Sequence, residues 1–305
     1  MSGGMAVVMS LPRLRPETVI VLRPGGRVQV GCDPETAVVL EPPVHVSPAS
    51  LVGLLRWMTG PRSVTEVTAA AADIGLDLDE VRGILDRLVA IGIGHDLPHA
   101  GTHRPLTIRV HGSGPLASAV AKSVGAGGHR VRQSVRRPRL APDHPATEKA
   151  FATWSADLVV LTDFLTHDPW LISDLMKSRV PHLTVRLRDG SGVIGPLVLP
   201  GLTSCLVCAD HHRRDRDAEW PIISAQLFGQ RGWASPATIA GTVALTVAQI
   251  EHITAVTSAA ASASASPDHD PPTTVNATIE LRPNATSLQI RQWTPHPLCG
   301  CGVPA

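Results

Sequence analysis

Four of the five cysteines fall into two tight, widely separated pairs, Cys205-x-x-Cys208 and Cys299-x-Cys301, and nothing else in the chain constrains its fold as strongly. Zn²⁺ favours soft thiolates in a tetrahedral set and brings no geometric demand of its own d-electrons. A close pair lets one turn present two sulfurs; two distant pairs clamp the end of the chain onto the body that carries the first pair. Four thiolates leave no open coordination position, so a metal held here is expected to be structural zinc. Zinc-finger peptides bind the ion with roughly 10–16 kcal/mol, and a fraction of that would hold the tail across the low-complexity segment 258–272, SAAASASASPDHDPP. The C-x-C pair is tighter than the usual C-x-x-C. The alternatives are four unconnected cysteines, or His211 or His212 in place of one sulfur. Cys32, the odd one, reads as an ordinary reduced thiol.

A length of 305 residues accommodates one large domain or two modest ones, and 43% hydrophobic composition supplies a core. The net charge of +1 argues against a broad electrostatic grip on nucleic acid or anionic membrane. The N-terminus lacks the basic segment of a secretory signal, and the most apolar later stretch, 237–250, falls short of the roughly 20 apolar residues that span a bilayer. The expected setting is cytoplasmic, where paired cysteines suggest metal rather than disulfides.

Three zones follow along the chain. In 1–98, β-rich runs at 18–22, 28–31 and 36–40 surround a Pro-Gly-Gly turn. Three helices come next: one capped by Ser47 with Pro48 at its first position, one opened by Ser63 and Glu66 at capping-box spacing, and one beginning at Asp79 with Val81, Ile84, Leu85 and Leu88 on one face. Three strands and three helices form a small winged-helix-like module. From 104 onward, strands at 106–110, 131–135, 156–161 and 182–188 alternate with helices at 116–124 and 169–177, which implies a parallel α/β sheet. The segments 136–145 and 213–217 read as exposed loops. The last zone carries a helix over 236–255, the mobile linker 258–272, a hairpin from 275–281 and 287–293, and the second cysteine pair.

Gly112-Ser-Gly-Pro-Leu-Ala117 lies between a strand and a helix, where backbone N–H groups could meet phosphate. Pro115 removes one donor from that loop, and no acidic residue follows 131–135 to hold a ribose; Arg132, Gln133, Ser134, Arg136 and Arg137 stand there instead. The loop therefore reads more readily as a retained structural turn than as an active nucleotide site.

The run Gly190-Ser-Gly-Val-Ile-Gly195-Pro-Leu-Val-Leu-Pro-Gly201-Leu-Thr-Ser-Cys-Leu-Val-Cys208, with the second cysteine pair and Asp157-Leu-Val-Val-Leu-Thr-Asp163, resembles the ThiF superfamily of adenylating enzymes over roughly 104–302. By that resemblance Gly112, Gly114 and Asp163 would be the nucleotide-site residues. The departures outweigh the matches: the ribose acid is missing, Phe164 stands after Asp163 in place of Asn, and no cysteine beyond the paired four remains in this zone to carry a thioester. A winged-helix module ahead of such a degenerate domain resembles the Ocin-ThiF-like partner proteins of azole and azoline peptide biosynthesis, whose front module is the RiPP recognition element. The resemblance implies a protein that is not itself the catalyst, binds no ATP, captures the leader of a ribosomal precursor peptide and presents it to a YcaO-type cyclodehydratase. It implies leader addition beside Ala37, Val38, Val39 and Leu40, against the helix over 79–88, with Arg82 and Arg87 meeting acidic leader residues. ThiF-like proteins dimerise, so a homodimer is a further implication. Two other readings stand beside this one: a divergent ATP-dependent adenylyltransferase using 112–117 and Asp163, and an orphan peptide-binding protein without a YcaO partner.

Overall fold

The computed structural model describes residues 11–14, 17–60, 62–95, 104–136, 154–261, 271–283 and 287–304. The chain divides into two units, Met1–His103 and Arg104–Ala305.

In the first unit, β1 (Arg13–Leu14) pairs with β5 (Gly94–His95). A separate antiparallel meander runs β2 (Ile20–Leu22), β3 (Val28–Val30) and β4 (Val38–Leu40). Gly25 and Gly26, at φ 78° and 77°, make the β2–β3 turn, a left-handed backbone that other residues enter at a cost. Ser47 caps α1 (Pro48–Trp57), and Ser63 with Glu66 forms a reciprocal capping box at α2 (Val64–Ala72). The cap of α3 (Leu78–Ala90) is Asp77 rather than Asp79. Asp77 accepts from the Glu80 N–H at 2.8 Å while Glu80 accepts from the Asp77 N–H at 2.9 Å. Asp79 is left to pair with Arg82. Strands and helices share one core that includes Val28, Val30, Leu40, Leu51, Leu55 and Leu85. Each such side chain, fully buried, stabilises the fold by about 1.5–3 kcal/mol.

The second unit is α/β, built on a mixed seven-stranded sheet of order β12-β11-β10-β9-β8-β6-β7. Strands β7 (Arg130–Ser134), β6 (Thr107–His111), β8 (Leu158–Thr162) and β9 (His182–Arg188) are parallel, as the alternation with helices implies. From β9 through β10 (Ser191–Val198), β11 (Ala277–Leu281) and β12 (Leu288–Gln292) the pairing is antiparallel. The glycine turn that the ThiF resemblance implies before the cysteine run is mostly strand here, within β10. Its glycines admit close neighbours: a Cβ at Gly192 would collide with the Thr242 hydroxyl, and one at Gly195 would lie 2.5 Å from the Ala277 carbonyl oxygen.

Helices cover both faces of the sheet. Leu158 and Val160 point to the core shared with α4 (Pro115–Ala126) and α8 (Pro236–Ala261). Val159 and Leu161 point the other way, toward α5 (Pro169–Lys177) and α6 (Leu206–Arg216). This two-sided burial explains the unbroken apolar run in β8. Residues 213–216, expected in a loop, form the last turns of α6, and α7 (Trp220–Gln226) follows. Helix α8 continues through 258–261, residues assigned above to the linker. Its stretch Pro236–Ser258 is long and apolar enough to cross a membrane by length and composition, so the expectation that it is too short does not hold. One side of α8 packs on α4 and β10, as in a core helix. Residues 137–153 and 262–270, including most of the basic loop and linker read from the sequence, lie outside the described residues.

Candidate functional site

The four cysteines of the two pairs converge. Sγ of Cys205 lies 3.8 Å from Cys208 and 3.6 Å from Cys299, and Cys208 lies 3.6 Å from Cys301. All four ligand atoms fall within 4.8 Å of one another. Sulfurs about 2.3 Å from a tetrahedral metal are about 3.8 Å apart, so the group has the dimensions of a four-thiolate cage and can hold a metal ion. Cys205 stands at the N-cap of α6 and Cys208 in its first turn, where the helix dipole favours thiolate. Burial pushes the Cys205 thiol well above its ordinary range and Cys299 up to about 11. Burial pushes the Cys208 thiol up, but hydrogen bonds from the backbone at His296 and Cys205 and from the Cys299 and Cys301 side chains together leave it below its ordinary value. Burial resists thiolate formation at Cys205 and Cys299, and a bound cation would reverse that.

His211 and His212 stand outside the sulfur group. His212 instead approaches Asp215 and His296, and these form a second cluster. His296 Nε2 bonds Asp215 Oδ2 at 2.8 Å, and its Nδ1 accepts from the Leu298 N–H at 3.1 Å. In neutral imidazole that leaves the proton on Nε2, donated to Asp215, so His296 is a hydrogen-bonding strut for the tail rather than a free ligand. Sequence spacing could not reveal this cluster, because His296 comes from a distant part of the chain.

The structure also brings Gly112, Gly114 and Asp163 together. Asp163, at φ 70°, turns back from the end of β8, and its carboxylate accepts from the Leu116 N–H at 3.0 Å and the Ala117 N–H at 3.1 Å. A Cβ at Gly114 would strike that carboxylate, and one at Gly112 would lie 2.6 Å from the Thr162 carbonyl oxygen. The glycines are therefore explained by the close approach of 162–163. The N-terminus of α4, where a phosphate would be expected to sit, holds this chain's own carboxylate.

Ala37, Val38, Val39 and Leu40 lie at or beside β4, which pairs only with β3 among the described residues. Arg23 donates to the Arg27 carbonyl and Gly31 to the Val19 carbonyl, so Arg27, Gln29 and Gly31 face β2. Antiparallel alternation then aims Val28 and Val30 at β4, where they meet Leu40 and Val38. The N–H and C=O of Val39 consequently point to the outer edge. Its side chain is 38% exposed, whereas Leu40 is buried in the core. Arg82 is partly exposed and pairs with Asp79 at 3.6 Å; Arg87 is exposed and donates to the Gly83 carbonyl at 3.2 Å. Five residues apart on α3, the two arginines point about 140° apart around the helix, so they do not form one basic face.

One further feature is absent from the sequence reading: a cavity beside α6 and α7 with the buried Arg186 in its lining. The signal was the alternation in His182-Leu-Thr-Val-Arg-Leu-Arg188, polar at every second position of a central strand.

No family model matches the chain, and no curated protein matches it. Solved structures do. A heterocyclase in complex with substrate and cofactor aligns with TM-score 0.64 and 15% identity, over 97% of this chain and 40% of that one. The heterocyclase TruD aligns with TM-score 0.63 and 15% identity, over 97% and 43%. The microcin C7 biosynthetic enzyme MccB, in complex with N-formylated MccA, aligns with TM-score 0.57 and 12% identity, over 95% and 99%. The chain thus spans less than half the length of the two heterocyclase chains, and what it shares with all three is the fold.

Proposed function

We propose that this chain is a leader-peptide recognition and scaffold protein that presents a ribosomal precursor peptide to a YcaO-type ATP-dependent cyclodehydratase. On this reading residues 1–98 are a winged-helix module of the RiPP recognition element kind, and 104–305 are a ThiF-like body whose adenylating machinery is lost. The observation that carries the reading is the outer edge of β4. Val39 directs both backbone polar groups away from β3 while Leu40 anchors the strand in the core. A leader added there would gain main-chain hydrogen bonds for affinity and side-chain pockets for specificity. Its catalytic benefit would be effective concentration at the partner's active site.

The capping of α4 by Asp163 supports the loss of nucleotide binding, because an incoming phosphate would have to displace a carboxylate from the same N–H groups. The fold shared with heterocyclase chains supports the biosynthetic setting. The four sulfurs suit zinc, with Cys205, Cys208, Cys299 and Cys301 as a closed structural set. The cytoplasm is the proposed compartment and a homodimer the proposed state.

The test is calorimetric titration of the full chain with the synthetic leader of any short Cys/Ser/Thr-rich precursor peptide found encoded beside its gene. Wild type binds, and Val39→Pro binds at least tenfold more weakly with an unchanged circular dichroism spectrum. Proline at 39 removes only an outward N–H, so the β3–β4 ladder survives. Normal leader binding by the proline variant contradicts the proposed groove. Micromolar binding of Mg-ATP would favour the adenylating alternative.

A further inference from the structure

The face of β9 that points away from α4 and α8 is polar, although β9 is the central strand of the seven. Leu183, Val185 and Leu187 fill the core on one side. Thr184, Arg186 and Arg188 occupy the other, and Arg186 and Arg188 line a cavity of 1320 Å³ bounded by α6, α7 and the segment around Trp233. That volume exceeds the roughly 300–1,000 Å³ of common small-ligand sites. Six arginines and three aspartates contribute to the lining, a formal excess of three positive charges, while Leu165, Ile172, Met176 and Leu227 make much of the rest apolar.

Arg186 is the anomaly. It is 7% exposed and makes no hydrogen bond or ion pair to any described residue. Burial, with repulsion from Arg213 and Arg188, pushes its pKa down to about 9, so it remains a cation at neutral pH. The two acids whose charges favour its protonation are Asp210 and Glu280, and both are engaged elsewhere. Asp210 Oδ1 accepts from Arg213 at 2.7 Å and from the Trp220 indole at 3.1 Å. Glu280 Oε1 accepts from Arg188 at 3.2 Å and from Arg291 at 3.1 Å. Arg188, Arg213 and Arg291 are thereby fixed in place by two carboxylates, one of them shared, and Arg186 is left with five donors and no side-chain acceptor among the described residues. His167, lining the same cavity, has a buried Nε2 with no hydrogen bond. A largely buried guanidinium with no protein acceptor is expensive, and its nitrogens keep access to the cavity, where an anion could meet them.

We propose that this cavity is a binding site for a small organic anion, its carboxylate or phosphate head held by the Arg186 fork and its apolar body lying on Leu165, Ile172 and Met176 toward the exposed Trp233 at the rim. The lining includes none of residues 112–117, but its Arg231 donates to the Ser113 hydroxyl at 3.1 Å, so the site borders the loop whose α4 terminus Asp163 caps. It stands independently of leader capture, which the proposed function places in the other unit.

The test titrates the full chain with three probes of one shape: 2-naphthoate, 2-naphthyl phosphate and the uncharged 2-naphthamide. At least one anion binds with 1:1 stoichiometry and at least tenfold more tightly than the amide, and the tighter anion identifies the head group. Arg186→Met lowers that affinity at least tenfold, leaves leader binding unchanged, and melts no lower than wild type, since an uncompensated buried charge is gone. Arg186→Lys keeps the charge but loses the fork; it weakens binding at least threefold and reads the site independently should the methionine variant fail to fold. Equal binding of anion and amide, no binding of either anion at millimolar concentration, or undiminished affinity in a folded Arg186 variant overturns the proposal.

Discussion

Asp163 is where one side chain decides between two chemistries. Carboxylates beside a nucleotide loop usually serve the metal or the phosphates. Here the chain reverses direction at φ 70°, a conformation Asp tolerates better than most residues, and the carboxylate returns to two N–H groups in the first turn of α4. Removing it would leave two buried donors unsatisfied and place the new residue in a left-handed conformation. Asp163→Ala is therefore expected to lower the stability of the second unit by about 2 kcal/mol or more, measured by urea denaturation. Asp163→Asn, which keeps one acceptor and tolerates the same backbone, should lose less. Equal stability of the alanine variant and wild type would remove the capping role. The sequence put Asp163 and the glycines in one group by resemblance. It could not show that the acid and the loop satisfy each other, because hydrogen bonding between β8 and α4 is a tertiary fact.

Among the elements, those with strong local signals were legible and those built by long-range pairing were not. The bounds of α5 and β9 follow directly from their residues, and the Ser63 and Glu66 capping box forms as its spacing implies. At α3 a competing acid two residues earlier takes the cap, a contest between Asp77 and Asp79 that spacing alone does not settle. The missed strand is β10. Its glycines read as a turn, yet Asp189-Gly190, at φ 51° and 77°, is itself a tight hairpin pair joining β9 to β10. The missed helices are α6 and α7; the end of α6 is hidden by the charges of Arg213-Arg-Asp-Arg-Asp217. Three of those charges, Arg213, Arg216 and Asp217, line a cavity rather than face only solvent. The cysteine pairs were legible because metal-type spacing is a local pattern. Since α6 supplies two sulfurs and the tail two, a Cys205→Ser variant should lose most of the zinc, expected at about one ion per chain in wild type by elemental analysis, and should free the tail to proteolysis. Full metal content in that variant, or none in wild type, would contradict a four-thiolate clamp.

At the scale of the whole molecule, the chain joins a small unit whose β4 edge is unpaired among the described residues to an α/β unit whose α4 terminus is already capped. The functional account depends on that combination: a backbone able to pair with an extended peptide, and an α4 terminus closed by its own carboxylate. The overall likeness to heterocyclase chains and to MccB locates the fold but not the activity, since the fold is shared by heterocyclase chains and by a microcin C7 biosynthetic enzyme. What separates peptide capture from the adenylating reading is the β4 edge. The most direct measurement is amide hydrogen exchange of the full chain with and without the synthetic leader, resolved at Val39. Strand capture predicts that the Val39 amide, directed outward in the free protein, becomes protected when the leader is present, while the β3–β4 amides of Val38 and Leu40 change little. Leader binding with no added protection at Val39 would contradict capture at this edge.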